Sequence, residues 1–136
     1  MNLDGGVHRI PLDGVPGELW LCGKHAIAPD PDALAERIDR SDRSRHVVCL
    51  VENHELAGRY ADYVRWLNSS ADATWHPIHD LSSPELDDVL PLYSDVWRRI
   101  RDGHVVVAHC AAGIGRAGTL AVAVCLLSGM DLDEAL

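Results

Sequence analysis

Short apolar runs alternate along the chain with segments in which apolar residues recur every three or four positions. Apolar runs bounded by glycine or polar residues predict buried strands, and the recurring pattern predicts helices that bury one face. The runs that predict strands are ELWLC (18–22), HVVCLV (46–51), TWHPI (74–78) and HVVVAH (104–109). The segments that predict helices are 28–40, 55–68, 82–103 and 116–129.

Residues at the ends of the helical segments support these assignments. Asp30 is a typical N-cap for the first helix, because its short side chain can accept a hydrogen bond from a free backbone N–H. Ser82 and Glu85 form a capping-box pattern at the start of the third. Gly103 and Gly129 are expected to end the third and fourth helices, since glycine readily adopts the left-handed conformation found there.

Strands that alternate with helices predict an α/β fold. We expect one domain over residues 1–136, with a central, mostly parallel sheet of four to five strands and helices on both faces. Ligands of such sheets bind beyond the carboxyl ends of the strands. The segment HCAAGIGRAGT (109–119) lies at such a place, because it connects the last predicted strand to the last predicted helix.

This connecting loop has the composition of a phosphate cradle. Backbone N–H groups that converge before a helix N-terminus bind anions. Gly113 and Gly115 permit the positive φ angles that wrapping around a ligand needs, and Arg116 can donate a fork of hydrogen bonds to a tetrahedral oxyanion. The residues expected to contact the phosphate along the loop are His109, Ala111, Ala112, Gly113, Ile114 and Gly115.

Cys110 lies at the base of the predicted cradle. Helix N-termini and cationic neighbours lower the pKa of cysteine thiols from about 8.5 to roughly 3.5–7.5. A thiolate beneath a bound phosphate is placed to attack phosphorus and form a phosphocysteine, whereas His109 is expected to orient the loop through its ring hydrogen bonds. The alternative is a glycine-rich turn that merely buries a cysteine.

HCAAGIGRAGT resembles the signature loop of the cysteine-based protein tyrosine phosphatase superfamily, in which a cysteine, five residues and an arginine form the phosphate-binding loop. WLCGK (20–24), LVENHEL (50–56) and HPIHD (76–80) resemble its compact dual-specificity branch, of the kinase-associated phosphatase type. Rhodanese-like domains also carry a cysteine loop, but Gly113 and Gly115 fit the phosphatases better. The resemblance implies hydrolysis of protein phosphotyrosine, phosphoserine or phosphothreonine, with Cys110 as nucleophile and Arg116 as phosphate ligand.

The resemblance also implies a general acid on a loop ahead of the cysteine, and Asp80 matches that place. Asp87 and Asp88 are rivals, although their position inside the following helix directs them to solvent, and His79 is a weaker alternative donor. Glu55 follows the second predicted strand, where related chains carry a similar acidic residue. A role in starting the next helix explains Glu55 equally well.

Ala117 departs from the pattern of the resembled family. Most relatives carry serine or threonine after the arginine, and its hydroxyl stabilises the thiolate that leaves the phosphoenzyme. Thr119 is the nearest hydroxyl and is expected to point elsewhere. Loss of one hydrogen bond to a charged group predicts hydrolysis of the phosphocysteine slowed about ten- to a hundredfold. The alternatives are a slow or inactive phosphoester-binding module and a phosphatase of a small metabolite.

Composition limits the partners. Twelve basic and twenty-one acidic side chains give a net charge of −9, which argues against nucleic acid or an anionic membrane as a ligand. The four cysteines have no metal-ligand spacing, so we expect neither a metal nor a cofactor and, in a cytoplasmic location, free thiols. The first residues show no pattern of a signal peptide.

The last residues predict the start of a further helix. Asp131 and Glu134 form a capping-box pattern directly before the final residue of the sequence. This C-terminal helix is therefore expected to be cut short. The apolar surface that a longer helix would cover is expected to lead to self-association or to marginal stability.

Overall fold

The computed structural model describes residues 7–12, 14–38, 44–56, 58–79, 85–111 and 115–129. Five strands are present in this part of the chain: β1 (His8–Ile10), β2 (Glu18–Gly23), β3 (Arg45–Cys49), β4 (Ala73–Trp75) and β5 (Val105–Cys110). The α-helices of this part are α1 (Lys24–Ile27), α2 (Pro31–Ile38), α3 (Ala61–Ser69), α4 (Leu86–Arg101) and α5 (Gly115–Leu127), and a short 3₁₀ helix spans Asn53–Glu55.

The strands form one sheet in the order β1-β2-β5-β3-β4. The four strands from β2 to β4 in this order are parallel, and only β1 is antiparallel to its neighbour β2. Helices α4 and α5 contact β5 and each other, and α3 contacts β4. The predicted α/β class, with a mostly parallel sheet flanked by helices, is therefore confirmed.

Strand β5 is central, and all six of its residues are buried. This burial on both faces explains why HVVVA contains no alternation of polar and apolar residues. Its register places Gly23 of β2 beside Cys110 and Cys49 of β3 beside His109. The carboxyl ends of three parallel strands therefore meet around residues 109 and 110.

Some of the predicted helix ends agree with the structure, and others differ from it. The N-cap at Asp30 is confirmed, because its Oδ1 accepts the backbone N–H of Ala33 at 3.1 Å. Gly103 and Gly129 follow α4 and α5 with φ angles of 96° and 89°, as expected for glycines that end helices. Helix α4 begins at Leu86 with Glu85 as a cap that makes no side-chain bond, and Ser82 lies outside the described residues.

One predicted helix needs correction, and two short elements were not predicted. The helix predicted over 55–68 begins only at Ala61, because residues 53–55 form the 3₁₀ helix and Tyr60 has a non-helical ψ of 48° before α3. Strand β1 lacked an apolar run long enough to predict it, and it pairs only as an edge strand. The four-residue helix α1 is too short to show a periodic pattern.

Candidate active site

The site is built at the carboxyl edge of the sheet. Cys110 is the last residue of β5 and only 2% exposed. The carbonyl of the next residue, Ala111, accepts the backbone N–H of Lys24 at 3.2 Å, which ties the start of the loop to the end of β2. Ala112, Gly113 and Ile114 lie outside the described residues.

Helix α5 begins directly after this loop. Gly115 is its first residue, and its φ is not in the left-handed region, so Gly115 does not use the positive φ that glycine permits. The first residue of a helix takes a helical φ, which any residue can adopt. The N-terminus of α5 nevertheless lies where the sequence predicts it, one residue before Arg116.

Arg116 is 6% exposed and is held by partners from three other segments. Its Nη1 and Nη2 atoms donate to Oε2 and Oε1 of Glu55, each at 2.9 Å. Nη1 also donates to the carbonyl of Ile78 at 2.8 Å and, more weakly, to that of Leu50 at 3.4 Å. The guanidinium is thus fixed along its outer edge by a bidentate carboxylate pair and by the chain that follows β3 and β4.

Glu55 caps the 3₁₀ helix and does not start α3, and it also pairs with Arg116. Its Oε2 accepts the backbone N–H of Glu52 at 2.8 Å, which closes the 3₁₀ helix, and its carboxylate pairs with Arg116. The hydrogen bonds from Arg116 outweigh partial burial and lower the pKa of Glu55 to about 2. The backbone carbonyl of Glu55 also accepts Lys24 Nζ at 2.9 Å.

The ring of His109 is completely buried and contacts the fold behind the loop. The distance from its Nε2 to the hydroxyl of Tyr63 in α3 is 2.7 Å, and its backbone carbonyl accepts the N–H of Leu50 at 3.0 Å. Burial lowers the pKa of His109 to about 4, and the charge of Arg116 acts in the same direction. The ring is therefore neutral at physiological pH and in a position to orient β5.

Asp80, the predicted general acid, lies outside the described residues. Its rivals are placed as expected, because Asp87 and Asp88 are exposed in the first turn of α4. His79, directly before Asp80, is exposed, and its Nδ1 lies 2.9 Å from Oε1 of Glu52.

Ala117 is completely buried in the first turn of α5. Thr119, the nearest hydroxyl in sequence, donates to the carbonyl of Gly115 at 3.1 Å and is exposed. Its oxygen is thus directed along the helix backbone, as the sequence predicts. It does not stand in for the hydroxyl that Ala117 lacks.

The other cysteines are buried free thiols, as expected of core residues: Cys22, Cys49 and Cys125. Burial raises the pKa of Cys22 and of Cys49 to about 12 in each case. The sequence pattern indicates no role for Lys24 or Tyr63. Lys24 follows the glycine that ends β2, and that place at the carboxyl edge of a parallel sheet is the only signal that pointed to it.

Comparison with known proteins agrees with this geometry. A family model described as "Tc-R-P: Polymorphic toxin system, DSP-PTPase phosphatase" matches residues 23–130. None of the curated proteins searched matches the chain. The match covers most of the chain, and the chain belongs to this family of DSP-PTPase phosphatases.

Solved structures support the same class. Tk-PTP in its active form is 28% identical over 94% of this chain and 79% of its own, with a TM-score of 0.65. A glycine-to-alanine mutant form of Tk-PTP is 29% identical over 93% of this chain and 77% of its own, with a TM-score of 0.64. Kinase associated phosphatase, with its catalytic-site cysteine replaced by serine, is 12% identical over 95% of this chain and 79% of its own. Its TM-score of 0.68 shows that the two chains share a fold. The chain is a cysteine-dependent protein phosphatase of the tyrosine and dual-specificity type.

Proposed function

We propose that this phosphatase hydrolyses phosphomonoesters through a phosphocysteine on Cys110. The observation that carries the proposal is the placement of Arg116, which is buried and clamped by Glu55 one helical residue beyond the loop that follows Cys110. A buried guanidinium fixed along its Nη1–Nη2 edge presents its Nε–Nη2 edge as a second fork for two phosphate oxygens. Such preorganised donors stabilise the charge of the transferring phosphoryl group.

Each step of the proposed reaction has a named group. The thiolate of Cys110 attacks phosphorus, so that an S–P bond forms while the P–O bond to the leaving group breaks. Asp80 gives its proton to the leaving oxygen and then takes a proton from water. The water oxygen attacks phosphorus, the S–P bond breaks, and Cys110 departs as a thiolate with release of inorganic phosphate.

The proposed roles of the loop residues follow from their places in the chain. The backbone N–H groups between Ala111 and Gly115 bind the phosphate oxygens, and the N-terminus of α5 adds partial positive charge. His109 orients the loop through its backbone and its ring, since the ring contacts Tyr63 rather than the solvent side. No metal or cofactor takes part in the proposed reaction.

The proposed substrate is a phosphorylated protein or peptide with phosphotyrosine, phosphoserine or phosphothreonine. Ala111, Ala112 and Ile114 offer no basic side chain for the extra phosphates of an inositol headgroup. None of the described helices is long and apolar enough to span a membrane. We place the reaction in the cytoplasm, because Cys110 must stay reduced and the other described cysteines are free thiols.

A second candidate function is a phosphoester-binding module that turns over slowly or not at all. The observation in its favour is Ala117, completely buried and without a hydroxyl, while the hydroxyl of Thr119 is bound to Gly115. Hydrolysis of the phosphocysteine is the step that this arrangement weakens, because the departing thiolate has one donor fewer. Formation of the phosphocysteine does not depend on that hydroxyl.

The deciding experiment is hydrolysis of para-nitrophenyl phosphate by the wild-type protein and by Cys110→Ser across pH. We expect activity that disappears in Cys110→Ser, and a bell-shaped profile in wild type that loses one limb in Asp80→Asn. Cys125→Ser is the matched control, because its thiol is buried in α5 away from the loop and its replacement should preserve turnover.

The other outcomes separate the candidates. Absence of turnover in a wild-type protein that still binds vanadate would favour the binding module. A burst of para-nitrophenol followed by slow turnover would show that the phosphocysteine forms and that its hydrolysis is limiting. Equal activity in wild type and Cys110→Ser would overturn the proposed mechanism.

A further inference from the structure

Basic and aromatic side chains cluster beside the start of the loop that follows β5, on a chain whose net charge is −9. Lys24 and His25 open α1 directly after β2, and Arg59 and Tyr60 lie just before α3. These four residues form the basic cluster. The proposed catalytic steps use none of them.

The basic cluster adjoins the residues that bind phosphate in the proposed reaction. The register of the sheet places Gly23 beside Cys110, and Lys24 is the next residue after Gly23. The backbone N–H of Lys24 donates to the carbonyl of Ala111 at 3.2 Å, and its Nζ donates to the carbonyl of Glu55 at 2.9 Å. Since an extended peptide advances only about 3.3 Å per residue, Lys24 is within reach of the residues that flank a phosphoresidue bound over the loop.

Contacts between side chains hold the basic cluster together. His25 Nδ1 lies 2.5 Å from the hydroxyl of Tyr60, and the guanidinium carbon of Arg59 lies 5.4 Å from the centroid of the Tyr60 ring, a cation–π contact. Desolvation and the positive charges of Arg59 and Lys24 lower the pKa of His25, so both cations lie close enough to act on the same ring. The segment before α3 and the start of α1 therefore present their charges on one surface.

The cations of this surface keep donors for a ligand. Among the residues that the structure describes, no carboxylate forms an ion pair with Lys24, His25 or Arg59. An ammonium group has further N–H donors besides the one that Lys24 gives to Glu55. The guanidinium of Arg59 is exposed, and its N–H groups can pair with a carboxylate while the group stays close to the Tyr60 ring.

We propose that the basic cluster binds acidic side chains that flank the phosphoresidue of a peptide substrate. Lys24 and Arg59 supply two positive charges for glutamate or aspartate carboxylates beside the loop. The excess of acidic groups in the whole chain repels an acidic peptide, so its binding requires a local group of cations such as this one. The inference rests on the proposed function, because it takes the phosphate of the same peptide to lie over Cys110.

The test is the binding of two fluorescent phosphotyrosine peptides to the Cys110→Ser protein, which holds a substrate without turning it over. One peptide carries glutamates on both sides of the phosphotyrosine, and the other carries glutamines at the same positions. An exposed ion pair contributes up to about fivefold in affinity, so Lys24 and Arg59 together predict that the glutamate peptide binds about tenfold more tightly. Raising the salt concentration to about 0.5 M should reduce this preference, because exposed charges are then screened.

Adding Arg59→Gln to the Cys110→Ser protein should reduce the preference for the glutamate peptide to about two- to threefold. Arg65→Gln is the matched control, because Arg65 is an exposed arginine on α3 that pairs with Asp62 and lies outside the basic cluster. The Arg65→Gln protein should keep the full preference.

The outcomes separate this inference from the proposed function. Equal affinity for the two peptides, or no binding of either, would overturn the proposed surface, and so would a preference that Arg59→Gln and Arg65→Gln reduce alike. If wild type also hydrolyses para-nitrophenyl phosphate through Cys110, only the surface for acidic peptides is lost. A preference that falls in Arg59→Gln, in a chain whose wild type hydrolyses no phosphoester, would retain the surface and contradict only the proposed hydrolysis.

Discussion

The carboxylate of Glu55 connects the 3₁₀ helix to Arg116. It closes the 3₁₀ helix through the N–H of Glu52 and clamps Arg116, which is 6% exposed. Replacing one member of a buried ion pair leaves the other charge without compensation. We therefore predict that Glu55→Gln lowers the free energy of unfolding by about 3 kcal/mol and lowers kcat/KM about ten- to a hundredfold, because the guanidinium is no longer fixed.

Urea unfolding and steady-state kinetics at neutral pH measure these two effects. Glu36→Gln is the control, since Glu36 is exposed on α2 and the same substitution there should leave both quantities near their wild-type values. The role assigned to Glu55 would be contradicted if Glu55→Gln kept wild-type stability and activity.

Ala117 permits a gain-of-function prediction. Its methyl group is completely buried in the first turn of α5, where a serine adds only one oxygen. If thiolate departure limits turnover, Ala117→Ser should raise kcat about tenfold or more, which corresponds to roughly 1.5 kcal/mol for one hydrogen bond to a charged group. Rapid-quench kinetics should show a burst of product in wild type that is lost in Ala117→Ser, because hydrolysis of the phosphoenzyme is then no longer slow.

Ala121→Ser is the matched control for this substitution. Ala121 is also buried on α5, one turn farther from the loop, so an added hydroxyl there cannot reach the leaving thiolate. An unchanged kcat in Ala117→Ser together with an unchanged burst would show that Ala117 does not limit this enzyme.

Two buried histidines predict how stability responds to acid. Burial lowers the pKa of His109 and of His46 to about 4 in the folded protein, whereas an unfolded histidine has a pKa of about 6.5. The unfolded state therefore binds protons first, so stability is full above about pH 6.5 and is lost as the pH falls toward 4. For His109 the loss between pH 7 and pH 5 is about 2 kcal/mol, and His46 adds to it in the same direction.

Urea unfolding at pH 7 and pH 5 measures this loss. His46→Gln should make it smaller, because the variant keeps a polar partner for the hydroxyl of Thr74 and carries no titrating ring. His8→Gln, on the edge strand, should retain the wild-type loss. A free energy of unfolding that is the same at both pH values would contradict the prediction.

The junction between β2 and α4 depends on one glycine, Gly17. The N–H of Gly17 donates to the carbonyl of Ile100 at 2.9 Å, and an added Cβ would collide with the carbonyl oxygens of Ile100 and His104. Gly17→Ala is therefore expected to cost about 2–3 kcal/mol of stability, since the obstructing atoms are backbone. Gly118→Ala should instead stabilise by about 0.5–1 kcal/mol, because it lies inside α5 and its Cβ would meet no atom within 4 Å.

Thermal unfolding of the two variants checks the opposite signs of these effects. The same chemical change is made in both, so the difference in melting temperature reports the surroundings of each glycine. A Gly17→Ala protein as stable as wild type would contradict the close packing of β2 on α4.

The elements that the sequence predicts well are those determined by local chemistry. The cap at Asp30 and the end of α4 at Gly103 depend on groups within a few residues. The 3₁₀ helix at residues 53–55 could not be predicted, because Glu55 is held there by Arg116, which is remote in sequence. One short loop predicts Cys110 and Arg116 as site residues, whereas Lys24 and Tyr63 come from other elements and their contacts with this region become visible only in the fold.

Among the described residues, an apolar groove lies between α4 and α5. Its volume is about 740 Å³, and it includes each of the exposed large apolar side chains of the described residues: Leu90, Leu126 and Leu127, which are 41%, 45% and 40% exposed. Helix α5 packs its opposite face, including Leu120 and Val124, into the core. A helix that is apolar on all sides is stable only when both faces are covered.

We propose that a second copy of the chain covers this groove, which would account for the self-association that the sequence predicts. Light scattering on a concentration series should then show a dimer that forms at high protein concentration, and Leu126→Glu should shift the population toward monomer because it places a charge in the apolar contact. Ala71→Glu adds the same charge at an exposed position before β4 and should leave the dimer intact. A wild-type protein that stays monomeric throughout the series would show that the groove is not an interface between copies. An equal loss of dimer in Leu126→Glu and Ala71→Glu would show that the added charge weakens association, and not a change in the contact at α4 and α5.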